Sequence, residues 1–237
     1  MRIHIAKQEQ IAKEAAQKYV ELLNRKPDAV LGYATGSTPL GLYFELARLN
    51  REGALSFARA TTFNLDEYAG LDGSHPQSYR YFMNKNLFYN IDIPIENTNV
   101  PSGINTDIAA QYDGAIEAAG GIDLQLLGIG NNGHIGFNEP GTPFGSVTHV
   151  VDLTESTRQA NARFFDSIDE VPTQAVSMGI KTVMNAKSII MICIGKAKAP
   201  IVRDFIYGEV TPEVPASILQ LHPDVDVYLD PDAASLL

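Results

Sequence analysis

Between Leu126 and Gly141 the chain reads LLGIGNNGHIGFNEPG, which sets His134 and Glu139 beside the amides Asn131 and Asn132. An imidazole that titrates near neutrality, with a carboxylate five positions on to orient it, can take a proton and give it back. The same stretch spells G-x-G-x-x-G through Gly128, Gly130 and Gly133, directly after the apolar run IDLQLL. That pattern is the fingerprint of a dinucleotide-binding turn, and Asp152 stands near the distance at which such a site places its acidic residue. The fingerprint also needs a helix immediately after the glycines. Gly136, Pro140, Gly141, Pro143 and Gly145 leave no room for one. The glycines are therefore expected to shape a catalytic loop whose backbone N–H groups approach a substrate.

Other reactive residues follow apolar runs in the same way. Gly36, Ser37 and Thr38 come after VLGYAT and before a helical stretch. Two hydroxyls, a glycine and free helix N–H groups suit an anion such as phosphate, and they equally suit an ordinary helix cap. Asp66 and Glu67 follow the run TTFNL, where they suit a solvated loop or, for one of the two, the role of general base. Lys196 and Lys198 follow IIMICIG, while Arg163 lies in a polar stretch. No local spacing distinguishes these three cations from surface charges. His134, Asp66 and Glu139 lack the spacing of a metal-ligand motif, so no metal site is expected.

These positions matter because of the elements before them. Ile11, Ala15, Tyr19 and Leu22 recur at helical spacing from Lys7 to about Asn24. Strands are expected at AVLGYAT, ATTFNL, IDLQLLGIG, QAVSMGI, SIIMICIG and DVDVYLD. Helices are expected at LGLYFELARLN, from about Gln77 to Phe88, from about Asp107 to Ala119, at KTVMNA and at KAPIVRDFIYG. DEYAGLDGSHP reads as loop, NIDIPIENTNVPSG as connection, and 154–169 as a helical or loop stretch that closes over a ligand. Strands alternating with helices predict an α/β, Rossmann-like fold in one domain over 1–237, its mostly parallel sheet covered by helices on both faces. In such a sheet the ligand lies beyond the carboxyl ends of the strands, where the residues above cluster.

Composition narrows the function. A net charge of −10 argues against a nucleic-acid or anionic-membrane partner, and no apolar run is long enough for a membrane span or a secretory leader, so a cytoplasmic protein is expected. The lone Cys193 sits in a predicted central strand and is expected to be inert.

With the residues in view, FNLDEYAGL, HPQSYRYFM, GIGNNGHIGFNEPG, TRQANARFF and LQLHP, in that order, closely resemble the glucosamine-6-phosphate deaminase (isomerase) family. The resemblance runs nearly end to end. It implies conversion of glucosamine 6-phosphate, a small amino sugar phosphate, and water to fructose 6-phosphate and ammonia, with no redox or metal cofactor. It further implies Asp66 as the base that moves the C2 proton to C1, His134 as the ring-opening acid and base, and Glu139 as its carboxylate partner. Gly36, Ser37, Thr38, Arg163 and Lys198 match the phosphate site. Many members carry Asp at the position of Asn132, whose role here reduces to a hydrogen bond. Regulated hexameric members carry Arg and Lys where this chain has His149 and Val151, and extend beyond its last residue, Leu237. A monomer or small homo-oligomer without that regulation is expected. The alternatives are a 6-phosphogluconolactonase-like hydrolase and a sugar-phosphate-sensing effector domain of a transcription regulator.

Overall fold

The computed structural model describes residues 1–237, apart from the side chains of 160 and 164. The chain begins with β1 (Arg2–Ile5) and α1 (Gln8–Arg25), then β2 (Val30–Tyr33), α2 (Leu40–Arg51) and β3 (Thr61–Asn64). β4 (Asp66–Tyr68), α3 (Tyr79–Asn86), β5 (Thr98–Asn99), α4 (Gln111–Ala118) and β6 (Leu124–Leu127) follow. The second half carries β7 (His149–Asp152), α5 (Glu155–Asn161), β8 (Gln174–Ser177), α6 (Ile180–Met184), β9 (Ile189–Cys193), α7 (Ala199–Tyr207) and β10 (Val225–Leu229).

Seven strands form one parallel sheet in the order β1-β10-β9-β6-β2-β3-β5. Burial on both faces explains their near-continuous apolar sequences, and every residue of β2, β6, β9 and β10 is buried. From β2 the chain winds through β3 to β5, then returns to the other side of β2 at β6 and proceeds to β9 and β10. Right-handed crossovers that run in opposite directions send their helices to opposite faces, as the alternating pattern predicts. The reversal falls between β2 and β6, and a crevice at such a switch point is where an open α/β sheet holds its ligand. On one face α1 buries Ile11, Ala15, Ala16, Tyr19, Leu22 and Leu23.

The structure departs from the sequence reading in several places. DEYAGLDGSHP is not wholly loop: Asp66–Tyr68 is β4, which pairs antiparallel with β8, and β8 pairs antiparallel with β7. These three strands make a separate small sheet, so QAVSMGI does not join the parallel one. The expected connection contains β5, which pairs with β3, and the helix expected from Asp107 starts at Gln111 after a short 3₁₀ turn at Thr106–Ile108. β1 was not anticipated. Among the described residues no helix is long and apolar enough to cross a membrane.

Candidate active site

A cavity of about 860 Å³ opens at the switch point and draws its walls from four strand ends. Gly36, Ser37 and Thr38 follow β2, Asp66 follows β3, Gly130, Asn132 and His134 follow β6, and Lys198 follows β9. Arg163 and Phe165 reach the same cavity from the segment after α5. Thus every residue expected to bind substrate or move protons is brought to one cavity except Glu139, which stands behind His134. Lys196 is exposed and is not part of the wall.

The structure separates the two carboxylates that sequence left paired. Glu67 accepts from the backbone N–H groups of Tyr68, Tyr79 and Arg80 and from the Ser78 hydroxyl, at 2.7–3.0 Å. All of its acceptor capacity is spent on locking β4 to the start of α3. Burial raises its carboxyl above the ordinary range against the pull of those donors. Asp66, 7% exposed, faces the cavity instead, and no described side chain donates to its carboxylate. Burial, helped by the neighbouring Glu67 charge, pushes the Asp66 carboxyl up to about 8. A base of that strength is well matched to proton abstraction near neutral pH.

Across the cavity wall the His134 imidazole lies on the backbone of Gly130. A Cβ at position 130 would come within 2.4–2.5 Å of three ring atoms, so only glycine leaves room for the ring there. Gly136, at φ +58°, adopts a conformation that side chains disfavour and passes close to Ser177 Oγ. Gly130 thus leaves room for the His134 ring, a use other than close approach to a pyrophosphate.

Glu139 turns one oxygen to that ring, with Nδ1 of His134 3.5 Å from Oε2. The Asn132 amide donates to the same oxygen at 2.6 Å, while its own Oδ1 accepts from the His134 backbone N–H at 3.2 Å. Asn132 therefore supplies the hydrogen bond expected of it. Burial alone would raise the Glu139 carboxyl, but the imidazole and the donors Thr157 and Asn132 hold it down at about 2. An ionised Glu139 is set to orient the ring.

Neither Ser37 nor Thr38 caps α2 by a side-chain bond, and Gly36 takes φ +95°. Ser37 and Thr38 both line the cavity, where hydroxyls suit an anion. Burial lowers the Lys198 ammonium below the usual lysine range, and the like charge of Arg163 adds to the effect. Two cations that disfavour each other across a cavity are both relieved by an anion between them. Among the described residues no three His, Cys, Asp or Glu side chains are grouped as metal ligands. Cys193 is buried, and burial raises its thiol to about 12, which leaves it unreactive.

Sequence reasoning missed the aromatic wall of Tyr68, Tyr79, Phe137 and Phe165, whose ring centroids lie 4.7–6.0 Å apart. It also missed Thr154 and Thr157, whose hydroxyls reach Glu139 Oε1 at 3.3 and 2.5 Å. A Thr directly ahead of a polar helix hints at a cap, which Thr154 is. No local signal ties Thr157 to Glu139.

Residues 6–227 match the family described as glucosamine-6-phosphate isomerases/6-phosphogluconolactonase. The chain belongs to this family. Within it, a glucosamine-6-phosphate deaminase of Clostridium perfringens is 52% identical over an alignment of 241 residues that covers both chains completely. That of Lachnoclostridium phytofermentans is 57% identical over 205 residues, covering 85% of this chain and 87% of the relative. The solved structure of a monomeric glucosamine-6-phosphate deaminase superposes with a TM-score of 0.97 at 47% identity, covering both chains in full. A 6-phosphogluconolactonase from Trypanosoma brucei shares the fold, with a TM-score of 0.77 at 20% identity over 100% of this chain and 98% of its own.

Proposed function

We propose that this protein converts glucosamine 6-phosphate and water to fructose 6-phosphate and ammonia. The observation that carries the reading is Asp66, a buried carboxylate raised to about 8 that lines one cavity with His134, which Glu139 adjoins, and with Ser37, Thr38, Arg163 and Lys198. The cyclic sugar must first open, which takes a proton from the anomeric hydroxyl and returns one to the ring oxygen. His134, oriented by Glu139, does both. Asp66 then removes the C2 proton of the open aldehyde and delivers it to C1, while the amine nitrogen loses a proton and O1 gains one, leaving a hydroxymethyl group at C1 and an imine at C2. Water adds there, and ammonia departs.

The 52% identity with named deaminases over the full chain supports this reading over the lactonase, for which the likeness is one of fold alone. Ester hydrolysis also has no need of a base that abstracts a C2 proton. Incubation with glucosamine 6-phosphate is expected to release ammonia and fructose 6-phosphate, and 6-phosphogluconolactone to be left to its spontaneous rate. The opposite pattern would overturn the proposal.

Phosphate recognition by Lys198 and Arg163 leads to a quantitative expectation. Lys198→Ala or Arg163→Ala is expected to weaken substrate binding by about 1.5–3 kcal/mol through loss of a charge-assisted contact. Unphosphorylated glucosamine should be a very poor substrate. Wild-type affinity for inorganic phosphate in both variants would place the anion elsewhere.

We also read the protein as a cytoplasmic monomer, since a phosphorylated sugar is held inside the membrane and the 47% identical solved structure is that of a monomer. Regulation through the β7 region is not expected. A ligand shifts an equilibrium only by its differential affinity, and the stretch GTPFGSVTHVVDL contains no Lys or Arg to grip a second phosphate. The His149 ring is engaged locally, 2.7 Å from the Val147 carbonyl. Added N-acetylglucosamine 6-phosphate should leave the substrate curve hyperbolic apart from competition, whereas a sigmoidal curve that it converts to a hyperbola would show a regulatory site.

A further inference from the structure

Glu139 is held from two directions. Asn132, in the same loop, donates to Oε2, the oxygen that faces His134. Thr157, on α5, donates to Oε1 at 2.5 Å and is itself only 6% exposed. A carboxylate fixed at one oxygen can still rotate about its last torsion, which is broad and soft. Donors at both oxygens fix its plane, and with it the lone pair offered to Nδ1.

The second donor arrives from the segment that also supplies the cavity with a cation. α5 runs on into the 3₁₀ turn Ala162–Phe164, which carries Arg163. Next comes Phe165, whose ring stands edge-on to Tyr68 at 5.7 Å. Arg163 therefore sits between two attachments, Thr157 on Glu139 and Phe165 on the aromatic wall. The turn that bears Arg163 is thus continuous, through α5, with the helix whose Thr157 hydroxyl holds Glu139.

We propose that Thr157 is a positioning residue for the His134–Glu139 pair, its hydroxyl coupling that pair to the anion-binding turn that bears Arg163. The inference rests on the phosphate-binding, proton-transferring reading of the cavity given above. Thr154 is the weaker neighbour, since its contact with Glu139 is 3.3 Å and its oxygen also caps α5.

The test uses Thr157→Val, which keeps the shape and removes the donor, and Thr157→Ser, which keeps the donor. Thr157→Val is expected to lower kcat by about tenfold, the worth of one hydrogen bond to a charged group. KM and the affinity for inorganic phosphate should stay within about twofold, and Thr157→Ser should restore most of kcat. Independently of turnover, inorganic phosphate should shift the ring ¹⁵N resonances of His134 in the wild type and fail to do so in Thr157→Val, although it still binds. Wild-type kcat in Thr157→Val, or a phosphate-induced His134 shift equal to that of the wild type, would overturn the coupling. Parallel losses of kcat, phosphate affinity and melting temperature that Thr157→Ser does not repair would reduce Thr157 to a packing role. A wild-type protein that releases no ammonia yet shows the phosphate-induced shift would overturn the deaminase reading and leave the coupling standing.

Discussion

Asp66→Asn is expected to cut turnover of glucosamine 6-phosphate by about 10²- to 10⁴-fold, the usual worth of a positioned base, and at the same time to stabilise the folded protein above neutral pH. Both effects come from one cause. The carboxylate is buried against Glu67 with no described side chain donating to it, so the fold disfavours its charged form. Its folded pKa of about 8 lies above the unfolded value of about 4. Below pH 4 both states are protonated and burial costs nothing through this group. Between 4 and 8 the unfolded chain ionises first, so the cost to the fold grows with pH, and above 8 it is constant. Asn, neutral throughout, escapes that cost. The melting-temperature advantage of Asp66→Asn should therefore widen from pH 5 to pH 8 and then level off. An advantage independent of pH would show that Asp66 is an ordinary carboxylate, and near-normal turnover would remove it from the role of base. The same ionisation should make wild-type kcat/KM fall as pH drops below about 8.

How much of this was legible without coordinates depended on whether the signal was local. β2, β6, β9 and β10 are short, mostly apolar runs because both faces of the parallel sheet are covered, and burial of that kind is written into composition. β1 was missed because it is an edge strand with polar alternation. Arg2 and His4 both reach Asp226 of β10 at 2.7–2.8 Å, a pairing visible only once the strands lie side by side. β4 has the composition of a loop since two of its three residues are acidic, yet one is spent on α3 and the other on the cavity. The choice between Asp66 and Glu67 could not be made along the chain, as the donors that claim Glu67 lie up to thirteen residues away. His134, Glu139 and Asn132 were legible because a single loop carries all three. Thr157 was not, since its meaning lies entirely in a contact across 18 residues.

Gly130→Ala is expected to lower turnover by about 10²-fold with the fold retained, because a small displacement of an acid–base group from its productive geometry is enough for a loss of that size. The position needs no left-handed backbone: Gly130 is absent from the glycines with positive φ, so alanine fits the chain locally. What it does not fit is the imidazole, since the new methyl group would lie 2.4 Å from Cε1 and Nε2 and 2.5 Å from Nδ1 of His134. Contacts that short do not persist, so the ring must leave its place beside Glu139. A double-mutant cycle isolates this cause. In a His134→Ala background the ring is gone, and adding Gly130→Ala should change the residual rate by less than about threefold. Gly128 supplies the control, for nothing lies within 4 Å of a methyl group placed there and its φ is not positive. Gly128→Ala should keep nearly full activity. In a dinucleotide-binding turn the first glycine is needed for the tight turn and the second for approach of the pyrophosphate, so both substitutions would be damaging. Equal, large losses at positions 128 and 130, undiminished when His134 is already absent, would mean that the glycines serve the backbone and that the place they leave for the histidine ring is incidental.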